Sequence, residues 1–100
     1  MVRVLIEWHV KPAQRAELEK RLTELRTKAM RQSGYISGET LVGCSDSSVL
    51  LVISSWTRSA YWEAWRDSPE RRELTSKIEP LLSEPLRMGI FASAAVDGEL

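Results

Sequence analysis

Tryptophans are concentrated in one short stretch of this 100-residue sequence, which has four tryptophans and a single phenylalanine. Trp56, Trp62 and Trp65 lie within residues 56–65, together with Tyr61. On a helix, Tyr61 and Trp65 share a face because they are four residues apart, and Trp62 lies next to that face. With Trp8 opposite them, these rings could enclose a flat apolar ligand, or they could simply fill the core. The sequence leaves both interpretations open.

The one histidine and the one cysteine are the other residues with reactive side chains. His9 alternates with Trp8 along a predicted strand, so it should lie on the opposite face beside Glu7, where a general base is conceivable. No nucleophile, metal partner or second base lies at a diagnostic spacing, which favours a structural polar role for His9. Cys44 has no neighbour that would stabilise a thiolate and is interpreted as unreactive. One histidine and one cysteine cannot complete a four-ligand zinc site.

Other charged and glycine-rich patterns indicate no further site. Glu70, Arg71, Arg72 and Glu73 alternate in sign, which is typical of a solvated helix face rather than an anion site. The scattered glycines form neither a phosphate loop nor a dinucleotide fingerprint, so no nucleotide site is predicted.

The overall charge and hydropathy exclude several classes of partner. Fourteen basic and fourteen acidic residues balance, so the footprint of a nucleic-acid-binding protein is missing. No apolar run approaches the roughly 20 residues of a membrane helix. Met1 leads straight into a predicted strand, without the pattern of a signal peptide. We therefore expect a cytoplasmic protein without nucleic-acid or membrane partners.

Hydrophobic periodicity predicts the elements that must position the aromatic residues. Alternation over residues 2–10 predicts a strand, and Leu18, Leu22, Leu25 and Ala29 form the apolar stripe of a helix. Further strands are predicted over residues 35–43, 49–56 and 87–92. Ser59 is expected to cap a short helix that ends near Asp67. Ser68 and Pro69 then begin another helix, which ends near Pro80.

The order strand, helix, strand, strand, helix, strand predicts an α+β, ferredoxin-like βαββαβ fold with a four-stranded antiparallel sheet. Residues 1–93 are predicted to form one domain and residues 94–100 a mobile C-terminal tail. Residues 49–53 are all apolar, so both faces of that strand should be covered. Because the helices cover one face only, we expect a second copy of the chain on the other face, which makes the protein a homodimer.

Three segments resemble the antibiotic biosynthesis monooxygenase domain family, and the resemblance extends over about residues 2–92. They are Gly34–Thr40, Val49–Trp56 and Trp62–Arg71, the last with the sequence WEAWRDSPER. The pattern is specific for the fold and carries little information about activity. The resemblance implies a dimeric α+β barrel with a ligand pocket between helices and sheet in each subunit.

The family includes cofactor-independent oxygenases of anthrones, quinol oxygenases and haem-degrading enzymes. Trp65 falls where the haem-degrading members have a pocket tryptophan, but Thr75 stands where they have the histidine that binds iron. Their strand-one asparagine would fall near Ile6, and this sequence contains no asparagine. Haem degradation of that kind is therefore disfavoured.

The resemblance implies a monooxygenase that needs no cofactor or metal and acts with dioxygen on a small phenol, quinol or anthrone. Two alternatives remain open: a dimeric protein that binds a small ligand without catalysis, and capture of haem with His9 or an exogenous ligand on the iron. The candidate catalytic residues are Trp65 and Tyr61, and the predicted pocket residues are Ile6, Trp8, Leu22, Trp62 and Thr75.

Overall fold

The computed structural model describes residues 1–94, and the predicted mobile tail lies outside the described residues from position 95 onward. The helices and strands of these described residues fall within residues 1–93. In chain order they are β1 (Val2–His9), α1 (Arg15–Ala29), β2 (Tyr35–Val42), β3 (Val49–Trp56), α2 (Ser59–Arg66), α3 (Pro69–Ile78) and β4 (Arg87–Ala92), with a one-turn 3₁₀ helix at Glu79–Leu81 between α3 and β4.

The four strands form one antiparallel sheet in the order β2-β3-β1-β4. β1 is central and pairs with β3 on one side and β4 on the other, while β2 is an edge strand. This topology confirms the predicted α+β ferredoxin-like fold.

The start of α3 is fixed by a side-chain cap and a proline, whereas the start of α2 has no side-chain cap. The Ser68 hydroxyl accepts a hydrogen bond from the Arg71 backbone N–H at 3.1 Å, which caps α3 as predicted, with Pro69 at its first position. The α-helical part ends at Ile78, two residues before Pro80. The expectation for Ser59 is wrong: Arg58 occupies the N-cap position of α2 without a side-chain hydrogen bond, and Ser59 is already helical.

The two faces of the sheet have different surroundings. The face beneath the helices carries alternate residues of β1, among them Val4, Ile6 and Trp8, which are 0–5% exposed. Leu5 lies on the opposite face, paired with Ile53 of β3. Side chains on that second face are only partly buried, because no element within residues 1–94 packs over it.

Candidate functional site

A cavity lies between the helices and the helix-facing side of the sheet. The volume open to a water-sized group is about 50 Å³, and the whole space between the lining atoms, including open solvent at the mouth, is about 520 Å³. All three helices and strands β1, β2 and β3 contribute to the walls, so the site requires the complete fold. The lining residues are Ile6, Trp8, Leu22, Leu25, Arg26, Ala29, Tyr35, Gly38, Glu39, Thr40, Val52, Ser54, Trp56, Trp62, Trp65 and Arg71.

Aromatic rings form much of this wall. Trp62 and Trp65 are three residues apart on α2 and both face inward, at 2% and 3% exposure. Trp56 packs edge-on against Trp62 with 5.9 Å between ring centroids, and against Tyr35 with 5.4 Å. The rings are therefore held by one another, and they present apolar surface to the cavity.

The Tyr35 hydroxyl is buried against Gly38 of β2, where a larger residue would force the tyrosine ring to shift. A β-carbon at Gly38 would lie 2.5 Å from the Tyr35 hydroxyl oxygen, which is closer than such atoms can approach. Among the described residues, this hydroxyl has no hydrogen-bond partner. Gly38 thus leaves space for a polar group that can interact with a bound molecule.

Arg71 carries a positive charge into the cavity wall. Its side chain is only 8% exposed, and its guanidinium carbon lies 4.9 Å from the centre of the Trp62 ring, within the range of a cation–π contact. Burial is the largest effect on its pKa and, with Arg66 nearby, lowers it to about 10. At neutral pH the group still carries its charge.

Five of the residues predicted for the pocket or for catalysis line this cavity, and two do not. Ile6, Trp8, Leu22, Trp62 and Trp65 are among the lining residues.

Tyr61 and Thr75 lie outside the cavity lining. The inward face of α2 is formed by Trp62 and Trp65, so Tyr61 is 40% exposed and packs against Gly34 at the start of β2. Thr75 is on α3, and its hydroxyl donates to the Arg72 carbonyl at 3.2 Å.

His9 lies on the other face of the sheet, away from the cavity, as its alternation with Trp8 predicts. One of its ring nitrogens is 2.9 Å from a Glu7 carboxylate oxygen, and the other is 3.6 Å from Glu84. Cys44 is exposed in the turn between β2 and β3.

Within residues 1–94, no three histidine, cysteine or acidic side chains are grouped so that they could hold a metal ion. None of the helices in this part of the chain has the length and apolar character needed to cross a membrane.

Arg71 and Tyr35 line the cavity although neither is predicted as a pocket residue. The alternating charges predict a solvated face for Arg71, which is wrong, and the sequence contains a signal against it. Ser68 and Pro69 fix the start of α3, and from that start Arg71, Leu74 and Ile78 recur at the three- and four-residue spacing of a buried stripe. Arg71 therefore replaces an apolar residue on the inward face of the helix.

The fold and the aromatic cavity define a class of small α+β domains that can hold a ligand between helices and sheet. Residues 1–76 match the family described as antibiotic biosynthesis monooxygenase. The chain belongs to this family, which confirms the resemblance found in its sequence. A comparison with curated protein sequences finds no match.

Several solved structures share the fold. Rv0793 from Mycobacterium tuberculosis is 18% identical with a TM-score of 0.85, covering 95% of this chain and 96% of that one. SnoaB, a cofactor-independent oxygenase from Streptomyces nogalater, is 18% identical with a TM-score of 0.84, covering 98% and 97%. A conserved protein from Methanosarcina mazei Go1 is 17% identical with a TM-score of 0.84, covering 90% and 89%. At these identities the likeness shows the fold.

Proposed function

We propose that this protein is a cofactor-independent monooxygenase that oxidises a small phenol, quinol or anthrone in the cavity beside Trp65. The observation that carries the proposal is the lining of the cavity, where Trp8, Trp62 and Trp65 supply aromatic rings against which a flat aromatic molecule can pack. Membership of the monooxygenase family supports it, as does the shared fold with SnoaB, which is itself described as a cofactor-independent oxygenase.

The proposed reaction balances without an external reductant. Loss of a proton gives a substrate anion that transfers electrons to dioxygen, and a carbon–oxygen bond then forms. For an anthrone, the methylene carbon becomes a carbonyl, one oxygen atom enters the product, and the second leaves in water. The substrate supplies all the electrons, so the protein has to bind it, orient it and exclude bulk water.

The lining residues are suited to these tasks. Trp62 and Trp65 can contact the faces of an aromatic substrate, and the buried Tyr35 hydroxyl can exchange a hydrogen bond with a substrate oxygen. Nearly all of each indole is shielded from solvent, so the aromatic part of the wall holds little water. A proton leaving the substrate could pass through a water to Glu39, the one carboxylate among the lining residues.

Oxygen consumption and product formation over a panel of phenols, quinols and anthrones test this proposal. We expect turnover with at least one of these substrates, and a lower rate for Trp65→Phe at a temperature where melting curves show both proteins to be folded. No turnover with any of them would contradict the proposal, as would an unchanged rate in Trp65→Phe. Tyr61→Phe in the same assay tests the catalytic role predicted for Tyr61: a reduced rate would support that role despite its exposed position.

A second candidate function is ligand binding without catalysis. It is favoured by the same lining, which contains no histidine and no asparagine. Titration of tryptophan fluorescence with 2-naphthol separates the two functions. Saturable quenching without oxygen consumption by any substrate of the panel would favour the binding function.

We also propose that two copies of the chain associate through the sheet face that the helices leave open. Leu51 lies at the centre of that face, where it pairs with Leu41 and Glu7, and Leu5 pairs with Ile53 in the next row. Packing of two such faces would cover the apolar residues that one chain leaves partly exposed.

Light scattering coupled to size exclusion measures this association. We expect a dimer for wild type and a monomer for Leu51→Lys, because the substitution places a charge inside the proposed contact. Met30→Lys changes an exposed residue at the end of α1 and should leave the dimer intact. A monomeric wild type would contradict the proposal.

We finally propose that the protein acts in the cytoplasm. Its one cysteine, Cys44, is a free thiol, which is compatible with a reducing compartment. Cell fractionation tests this placement, and recovery of the protein outside the cytoplasmic fraction would contradict it.

A further inference from the structure

The cavity wall contains an unusual number of buried hydrogen-bond donors without partners. Within residues 1–94, five buried side-chain polar atoms have no hydrogen-bond partner, and four of them belong to residues that line the cavity. These four are the indole nitrogens of Trp8 and Trp62, the Tyr35 hydroxyl and the Arg71 Nε. The fifth is Arg21 Nε, which lies 3.1 Å from a Glu17 carboxylate oxygen and is thus accounted for by an ion pair.

All four groups can donate a hydrogen bond, and three of them can only donate. An indole N–H and a guanidinium N–H have no lone pair to offer, whereas the tyrosine hydroxyl can act in both ways. A buried donor without a partner costs free energy, so a concentration of such donors around one cavity calls for an acceptor from outside the chain. Water alone would meet this need for neutral groups, but it would leave the charge of Arg71 uncompensated.

Among the described residues, the charge of Arg71 has no carboxylate partner. Asp67 is the nearby acidic residue, but both of its oxygens bind the Arg66 side chain, at 2.9 and 3.0 Å. Glu39 is the one carboxylate among the lining residues; it is exposed and forms no ion pair with Arg71. A second arginine, Arg26, also lines the cavity, so positive charge exceeds negative charge there.

We propose that the cavity takes an aromatic ligand with an ionised oxygen, a carboxylate or a phenolate, and that Arg71 holds this oxygen. The inference names the chemical class of the ligand, and it rests on the proposed function only in placing that ligand in the same cavity. A guanidinium whose nitrogen donors face a planar oxyanion forms short, charge-assisted hydrogen bonds. The indole N–H groups and the Tyr35 hydroxyl supply further donors to oxygens elsewhere on the ring system, while the tryptophan faces contact its carbons.

For an oxygenase, this arrangement would place a positive charge where the substrate anion forms. A phenolate paired with Arg71 would keep its negative charge in a site that is otherwise apolar. A carboxylate on the ligand would instead fix its orientation with respect to Trp65. In both cases Arg71 recognises an ionised oxygen, and titration with 4-nitrophenol separates the phenolate from the carboxylate.

Isothermal titration of a matched pair of probes at neutral pH tests the inference. 2-Naphthoate carries an ionised carboxylate, and 2-naphthamide is its neutral isostere. We expect wild type to bind 2-naphthoate about 10- to 100-fold more tightly than 2-naphthamide, which is the range for hydrogen bonds to a charged group. Equal binding of the two probes would overturn the inference, as would no saturable binding of 2-naphthoate.

Two variants on the same helix locate the effect. Arg71→Met should remove the preference for 2-naphthoate, whereas Arg72→Met should retain it, because Arg72 is exposed and lies outside the cavity lining. Both substitutions change the net charge of the protein equally, so a nonspecific charge effect would appear in both. A preference that survives in Arg71→Met would overturn the inference. If Arg71→Met does not fold, Arg71→Lys should weaken 2-naphthoate binding and leave 2-naphthamide binding unchanged.

Titration of the protein with 4-nitrophenol, at one pH below and one pH above the pKa of this phenol, shows whether Arg71 can hold a phenolate as well as a carboxylate. Tighter binding of the ionised form in wild type, but not in Arg71→Met, would show that a phenolate is sufficient. A preference confined to 2-naphthoate would assign Arg71 to a carboxylate.

Failure of this inference and failure of the proposed function give different results. Selective binding of 2-naphthoate without oxygen consumption by any substrate of the panel would support the inference and contradict the monooxygenase. Oxidation of neutral anthrones at equal rates by wild type and Arg71→Met would support the monooxygenase and contradict the inference about Arg71.

Discussion

Replacement of Arg71 by methionine should make the protein more stable, although it removes a residue from a buried position. Burial lowers the pKa of the guanidinium well below its ordinary value, to about 10. Because one pKa unit corresponds to about 1.4 kcal/mol, the charged form is about 3 kcal/mol less favourable in the folded protein than in water. The cation–π contact with Trp62 offsets about 1 kcal/mol of this cost. Methionine keeps much of the apolar packing, so we expect a net gain of about 2 kcal/mol.

The pH range in which this cost applies follows from the direction of the pKa change. A basic group whose folded pKa lies below its unfolded value destabilises the folded state while it is charged in both states. The cost is therefore complete below about pH 10 and decreases as the pH rises through the folded pKa. Neutral pH lies well within the range of the full effect.

Thermal unfolding at pH 7 and equal protein concentration measures the gain. A 100-residue domain shifts its melting temperature by roughly 4–8 °C per kcal/mol, so Arg71→Met should melt roughly 10 °C above wild type. Saturating 2-naphthoate should raise the melting temperature of wild type more than that of Arg71→Met, since only wild type offers the guanidinium to the carboxylate. An Arg71→Met variant that melts at or below wild type would refute the reasoning, because the guanidinium would then stabilise the fold without any ligand.

Two further predictions concern the residues that position this site. Gly38→Ala places a methyl group against the Tyr35 hydroxyl, and we expect a loss of about 1–3 kcal/mol in urea unfolding together with weaker 2-naphthoate binding; unchanged unfolding would mean that the ring shifts without cost. Ser68→Ala removes the hydroxyl that accepts from the Arg71 N–H and should cost about 1 kcal/mol in the same measurement, whereas Ser76→Ala, at an exposed position later in α3, should cost less.

Most of the fold follows from periodicity and end signals in the sequence. The alternation in β1 and the leucine stripe of α1 specify which side of each element is buried, and these patterns are strong because a shift of one residue would expose the whole apolar set. The Ser68 and Pro69 start is equally informative, since a hydroxyl cap and a fixed φ act locally. By contrast, the predicted cap at Ser59 is wrong by one position. The N-cap residue of α2 is Arg58, and its side chain makes no capping hydrogen bond that would mark the start of the helix.

The site was only partly predictable because its polar groups depend on the packing of distant elements. Trp62 and Trp65 could be assigned to a cavity wall from their spacing alone, but the orientation that excludes Tyr61 depends on the contact between α2 and the Gly34 turn. Arg71 has the sequence context of a surface residue, with charged neighbours on both sides. Only its place on the apolar stripe of α3 indicates burial, and that signal competes with the strong preference of arginine for solvent.

The central claim, that this cavity carries out a monooxygenation, is tested most directly by isotope labelling. An anthrone oxidised by the protein under ¹⁸O₂ in ordinary water should yield a product with one labelled oxygen atom, analysed by mass spectrometry with a protein-free control under the same conditions. The amount of labelled product formed in a given time should be lower with Trp65→Phe. A product without label, or no more labelled product than in the protein-free control, would contradict the account.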